Sequence, residues 1–411
     1  KRGTRSHHRP DGWQGQRGAG VKEEGIKIRN FDTPDGGRTA AGTSGMREAS
    51  GLLYGPITGS GGLQALATPE RTVIVADSLT KGFIPLSFSG CPVALVPRGE
   101  AAKTLAGLES LYSAFLDAGV GRDWTVVGMG GGSVCDLAGF AASTWLRGID
   151  FGFVPTTLLA MVDASIGGKN GVDFGGYKNL VGTINQPRFI LCDTTVLASL
   201  PPEALSSGLA EMVKHAVIDS PGHFAALEAV CASGLPIAAS LTDLIHRSAE
   251  LKTIIAGADE REKGQRMKLN LGHTIGHAVE ALTGLAHGHC VAVGTVTAFR
   301  LAARFAARNS GVQESGSSDA ERVQRLLAAI GLPVSLEQAR LAAGKADPSG
   351  AALSSALKDP AAFREALVGA LKADKKKRGA NIFYALPLAI GRVEIQSIGM
   401  DEVAACIREA P

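Results

Sequence analysis

At 411 residues, 45% hydrophobic and 20% charged, the chain has room for two or three domains with ample core, and general disorder is excluded. The net charge of +3 is mild, its basic excess sits in the first forty residues and at 375–378, and four Tyr with three Trp make no base-stacking platform. No nucleic-acid partner is expected.

Residues 1–53 are rich in Gly, Arg, Ser and His without hydrophobic periodicity, which predicts a poorly ordered tail. Transit peptides avoid acidic residues, whereas this segment carries Glu23, Glu24, Asp32 and Asp35. From 54 to about 200 the pattern alternates. Apolar runs at 72–76, 92–96, 124–127, 152–154 and 188–192 predict strands, with helices at 101–118 and 134–145, so an α/β domain with a parallel-rich sheet is expected. The strand at 124–127 runs into Gly128-Met-Gly130-Gly131-Gly132-Ser133, a strand-to-helix turn whose backbone N–H groups suit a phosphate. After Pro201-Pro202, Ala- and Leu-rich helical periodicity dominates, interrupted at 309–319 and 346–350, which predicts a mostly α-helical domain over 201–411. There are no internal repeats and no heptads. The apolar stretch 291–306 is broken by Thr295, Thr297, Arg300 and Arg304, so no membrane span is expected. Six scattered cysteines without a Cys-x-x-Cys pair point to reduced thiols in a reducing compartment, cytoplasm or plastid stroma.

Three clusters carry chemistry. Arg266, Asn270, His273 and His277 step by four, three and four, so one helix through them would show all four on one face. No Glu follows His273, which separates the pair from the His-Glu-x-x-His of zinc peptidases. Glu211-Met-Val-Lys214-His215 places acid, ammonium and imidazole on one helix face, a spacing more often used for a surface ion pair. With His273 and either His287 or His289, however, Glu211 completes a two-His, one-carboxylate set of the kind catalytic zinc adopts. Asp163-Ala-Ser-Ile-Gly-Gly-Lys169 and Lys178-Asn179, with Arg147 and Lys252, form a Gly-rich, cation-rich group suited to an anionic substrate.

From about residue 68 to 407 these features resemble the 3-dehydroquinate synthase family of the sugar phosphate cyclases. The likeness rests on Gly99-Glu100-x-x-Lys103, Gly130-Gly-Gly-Ser-Val-Cys-Asp136, Arg147-Gly, Val154-Pro-Thr-Thr, Val162-Asp-Ala-Ser-Ile-Gly-Gly-Lys169 and Lys178-Asn179. It continues through Gly208-Leu-Ala-Glu211-x-x-Lys214, Asp259-Glu-Arg-Glu262, Asn270-Leu-Gly-His273-x-x-x-His277, His287-Gly and Asp374-Lys-Lys376. The resemblance implies NAD and a divalent metal, usually zinc with cobalt as an alternative, held between the two domains. It implies Glu211, His273 and His287 as metal ligands, a choice that spacing alone, which favours the pair 273/277, does not make. Glu100, Lys103, Asp136, Thr156, Thr157 and Lys178 would hold NAD with the turn Gly130, Gly131, Gly132 and Ser133. Arg147, Asp163, Lys169, Asn179, Lys214, Lys252, Arg266, Asn270, His277 and Lys376 would surround a sugar phosphate. The implied chemistry is a hydride loan: a ring hydroxyl is oxidised, phosphate is eliminated, the hydride returns, and ring opening and aldol closure give a carbocycle. A homodimer is implied, with Arg147 reaching the neighbouring site.

The chain departs from the family pattern at Asn170, Asp173 and His289, the last standing where the family usually has Glu. His289 either replaces His287 on the metal or takes the supporting role of that carboxylate. The rival readings are a cyclase for another sugar phosphate, an NAD- and metal-dependent polyol dehydrogenase, and a catalytically silent protein on the same fold.

Overall fold

The structure, a computed structural model, describes residues 27–30, 51–59, 61–310, 318–346, 355–378 and 383–410. Among the described residues, nine strands lie in the first half: β1 (Lys27–Asn30), β2 (Gly51–Tyr54), β3 (Thr72–Ala76), β4 (Val93–Leu95), β5 (Thr125–Gly130), β6 (Asp150–Pro155), β7 (Lys169–Phe174), β8 (Tyr177–Ile184) and β9 (Phe189–Cys192). Seven of them form one sheet in the order β1-β2-β9-β6-β5-β3-β4, parallel throughout except for β1. Thr72-Val-Ile-Val-Ala76 is buried along its whole length, as a parallel strand covered on both faces requires. The chain leaves β3 toward β4 and returns to β5 on the other side, so the order reverses between β3 and β5, where α/β sheets hold ligands beyond the strand ends.

Two helices belong to this half, α1 (Leu105–Asp117) and α2 (Gly132–Thr144). The helix expected from 101 starts later, because Thr104 caps α1 through Gly107 N and a 3-10 turn occupies 99–102. Within the expected tail, 27–30 and 51–53 are strand. Leu52 and Leu53 are buried against the sheet, and a four-residue strand is too short to show periodicity. The rest of that segment lies outside the described residues. In the Gly-rich, cation-rich group, Lys169, Lys178 and Asn179 lie on the antiparallel hairpin β7–β8, entered through Gly167 and Gly168 at positive φ.

The second half contains α3 (Pro202–Asp219), α4 (Pro221–Val230), α5 (Thr242–Ala258), α6 (His273–Thr283), α7 (His287–Ser310), α8 (Ser318–Ala329), α9 (Leu336–Ala346), α10 (Pro360–Arg378) and α11 (Met400–Arg408). Helix does not run unbroken to the C-terminus. Between α10 and α11 lies the hairpin β10 (Phe383–Ala389) and β11 (Arg392–Ser397), whose apolar run was concealed by the helical neighbours on both sides. One core is continuous from the sheet into α3, α4 and α5, and a second joins α6, α7, α9, α10 and α11. By length and composition α7 could cross a membrane, but two-thirds of its apolar stretch is buried inside the protein, where it packs on α3 and α6.

Candidate active site

Helix α3 is the spine of the site. Pro202 fits its first turn, where no N–H partner is needed, and residues 205–217 are all buried, so Glu211, Lys214 and His215 enter the interior rather than the surface. Glu211 is wholly buried, with Oε2 ion-paired to Lys214 Nζ and Oε1 turned toward two imidazoles. His273 Nε2 and His287 Nε2 each lie 3.5 Å from Glu211 Oε1. Three helices thus converge on one point.

Each imidazole is aimed by its other nitrogen. His273 Nδ1 lies 3.1 Å from Leu271 O, and His287 Nδ1 lies 3.1 Å from Glu280 Oε2. The single helix expected through 266–277 is in fact two elements. Gly272, at φ +78, breaks a 3-10 turn over Gln265–Asn270 from α6, so His273 opens a new helix. A Cβ there would lie 2.4 Å from Thr295 Oγ1, a contact that excludes other residues. Gly288 similarly lets α7 touch α3, since its Cβ would lie 2.1 Å from Ser207 O. His277, exposed, has its ring 5.3 Å from that of His273. His289 belongs to no ligand group with Glu211, and Glu280 occupies the supporting position beside His287.

Lys214 contacts Glu211 and lies 3.5 Å from Asp163 Oδ1, while Lys252 lies 2.8 Å from the same oxygen. A π-type turn over Ala160–Ala164 presents Asp163, and His215 Nε2 approaches it at 3.5 Å. Burial resists ionisation of Asp163 and Glu211, but the Lys214 ammonium overcomes it and holds both below the usual carboxylate range. Burial also depresses His273, to about 3, with Lys214 adding repulsion. Burial would depress His287 too, yet Glu211 and Glu280 outweigh it and raise the imidazole to about 9.

The remaining expected residues fall into three groups. Lys169 pairs with Glu262, which also accepts from Asn270, and Arg266 is buried, donating to Gly167 O at 3.0 Å and Glu260 O at 2.9 Å. The expected surplus of cations is therefore largely neutralised inside the protein, by Glu262, Asp163 and Glu211. At the glycine turn, Lys103 Nζ donates to Asp136 Oδ2 at 2.7 Å and to Asn179 Oδ1 at 2.5 Å, and Ser133 Oγ donates to Glu100 Oε1 at 3.2 Å. Burial lifts Asp136 to about 6, against the pull of Lys103. Gly130 ends β5 and accepts from Thr156 N, Gly131 faces Thr157, and Gly132 lies where a Cβ would be 2.9 Å from Ala164. Asp163 neighbours Ala164, so the turn and the Glu211 cluster share one site. Lys178 bonds Glu280 and so reaches the imidazole side of that site.

Arg147 is not brought in. It is exposed at the far end of α2, about 20 Å of helix from Gly132. Lys376 lies on α10, and its side chain is outside the described residues. Glu262 and Glu280 were missed as site residues, although the spacing 273, 277, 280 puts Glu280 on the histidine face of α6.

Models of the 3-dehydroquinate synthase N-terminal and C-terminal domains match residues 93–207 and 208–347. The chain belongs to the 3-dehydroquinate synthase family. It is 36% identical over 373 residues to the 3-dehydroquinate synthase of Pyrobaculum neutrophilum, covering 90% of this chain and 96% of that one. To the Brucella ovis 3-dehydroquinate synthase it is 42% identical over 280 residues, 67% of this chain and 72% of the relative. Membership of the 3-dehydroquinate synthase family makes it an enzyme, a phosphate-eliminating cyclase. A 2-deoxy-scyllo-inosose synthase solved with carbaglucose-6-phosphate, NAD+ and Co2+ shares the fold, with TM-score 0.69, 24% identity, and 89% and 98% of the two chains covered.

Proposed function

We propose that the chain converts 3-deoxy-D-arabino-heptulosonate 7-phosphate to 3-dehydroquinate and phosphate, using NAD and a divalent metal, zinc or cobalt. The observation that carries this is the convergence of Glu211, His273 and His287 beside the glycine turn, inside a chain of this family. The metal fits. Glu211 is wholly buried and kept ionised by Lys214 at Oε2, and two imidazole Nε2 atoms face its Oε1 at 3.5 Å, each ring oriented from behind. NAD fits as well, since α2 starts without a side-chain cap at the switch point, behind glycines that leave no room for a Cβ.

Bound there, NAD supplies a reversible hydride acceptor and the metal a Lewis acid toward the sugar oxygens. Glu211, His273 and His287 hold the metal. Lys103, Asp136, Glu100, Ser133, Thr156 and Thr157 line the NAD end, with Asn179 joined to it through Lys103. Lys214 and Lys252 keep Asp163 and Glu211 ionised. Lys169, Asn270, Arg266 and His277 receive the substrate anions, Lys169 exchanging Glu262 for them. In this reading 54–200 is the NAD-binding part and 201–411 the metal- and substrate-binding part.

A second copy is part of the proposal. Phe174, Tyr177, Leu180 and Ile184 on the β7–β8 hairpin are each more than half exposed, an apolar surface suited to an isologous contact. Asn185 at the base of that hairpin bonds Ser143, one turn before Arg147, so such a contact lies near Arg147. Six buried cysteines, none in a disulfide, support a reducing setting such as the cytoplasm.

The test is to give the metal-loaded protein the heptulosonate phosphate with NAD+. One phosphate released per carbocycle, without accumulating NADH, is expected. Stoichiometric NADH would instead identify a dehydrogenase, and turnover of a different sugar phosphate alone would identify another cyclase.

A further inference from the structure

We infer that Glu280, gripped by Lys178, is the positioning residue that presents His287 to the metal. The inference rests on the metal reading above. Glu280 on α6 is nearly buried and divides its carboxylate: Oε2 lies 3.1 Å from His287 Nδ1, and Oε1 accepts from Lys178 Nζ. An imidazole that donates from Nδ1 to a carboxylate is fixed in one tautomer, with Nε2 free to ligate and more basic than in water. That Nε2 is the atom facing Glu211 Oε1 at 3.5 Å.

Lys178 makes this an arrangement between the two halves of the chain. It lies on β8, and its neighbour Asn179 accepts from Lys103, which also holds Asp136 at the glycine turn. Adjacent residues of one hairpin therefore hold the backing of a metal ligand and the NAD end of the site. His289, two residues beyond His287, takes no part. Its Nδ1 is buried without a hydrogen-bond partner, and the charge it senses is Glu203 on α3.

The experiment measures Co2+ affinity by chelator competition, and the visible spectrum of the Co2+ protein, for wild type and Glu211→Gln, Glu280→Ala, Glu280→Gln, Lys178→Met and His289→Ala. Thermal unfolding of the metal-free proteins checks the fold. Glu280→Ala is expected to weaken Co2+ roughly 10–100-fold with the tetrahedral-type band shifted but present. Glu280→Gln, whose amide oxygen still accepts from Nδ1, should fall between it and wild type. Lys178→Met, at a half-exposed hairpin position, should weaken binding several-fold. His289→Ala should match wild type.

Wild-type affinity in Glu280→Ala overturns the inference, as does a loss in His289→Ala equal to that in Glu280→Ala. Because His277, Glu280 and His287 also lie within ligand distance of one another, complete loss in Glu280→Gln, as in Glu211→Gln, makes Glu280 a ligand and overturns it too. A wild-type protein that binds no Co2+ removes the metal reading itself.

Discussion

An acid, a cation and a histidine meet at two places along α3. Around residues 211–215 all three come from α3 itself, where Glu211, Lys214 and His215 meet Asp163, and Glu211 Oε1 faces the imidazoles of α6 and α7 no closer than 3.5 Å. At its C-terminal end Asp219 accepts from Arg247 Nε and NH2 at 3.0 and 2.8 Å and lies 3.1 Å from His223 Nδ1, while Ser220 caps α4. There only His223 Nε2 is left without a partner. Similar residues do different work because a cluster closed by direct hydrogen bonds locks the chain, whereas a buried carboxylate oxygen that faces imidazoles from distant elements across 3.5 Å is prepared for a ligand between them.

The comparison breaks most sharply at Glu211. Glu211→Gln removes the proposed carboxylate ligand and should lower kcat roughly a thousandfold, about 4 kcal/mol in the barrier, with loss of bound metal by elemental analysis. If kcat is kept, the convergence on Glu211 marks no site. Lys169→Met, which removes a cation proposed to meet the substrate, should lower kcat/KM roughly thirtyfold, about 2 kcal/mol, mainly through KM, with metal content unchanged.

Asp219→Asn tests the other end of the helix. It should cost about 2 kcal/mol in urea unfolding and leave kcat untouched. A kcat effect without loss of stability would erase the distinction between the two clusters. The smallest effect is a pH dependence at His223. Burial and the nearby Arg247 hold this histidine down at about 4, below the 6.5 of the unfolded chain. The unfolded state then binds more protons, so stability is lost as pH falls from 6.5 toward 4, by about 1.8 kcal/mol between pH 7 and 5. His223→Gln should flatten that slope in chemical denaturation at the two pH values.

Much of this could be read before folding. The buried runs of β3, β5 and β9, the glycine turn before α2, and Glu211 with Lys214 on one helix face are local patterns with a fixed period. β2 and the β7–β8 hairpin were not readable. The first is four residues long, and the second is a Gly-rich segment whose strands exist through each other.

Helical spacing, set by backbone geometry, determined by itself that acid, ammonium and imidazole share a face of α3 and that α6 offers several polar groups on one side. Spacing alone favoured the imidazoles at 273 and 277, and family likeness pointed instead to 273 and 287. Only the tertiary structure decided that both turn Nε2 toward Glu211, that Gly272 splits the expected helix, and that Glu280 rather than His289 stands behind His287. The reason is physical: periodicity governs neighbours within one element, while convergence depends on how α3, α6, α7 and a hairpin from the other half pack together.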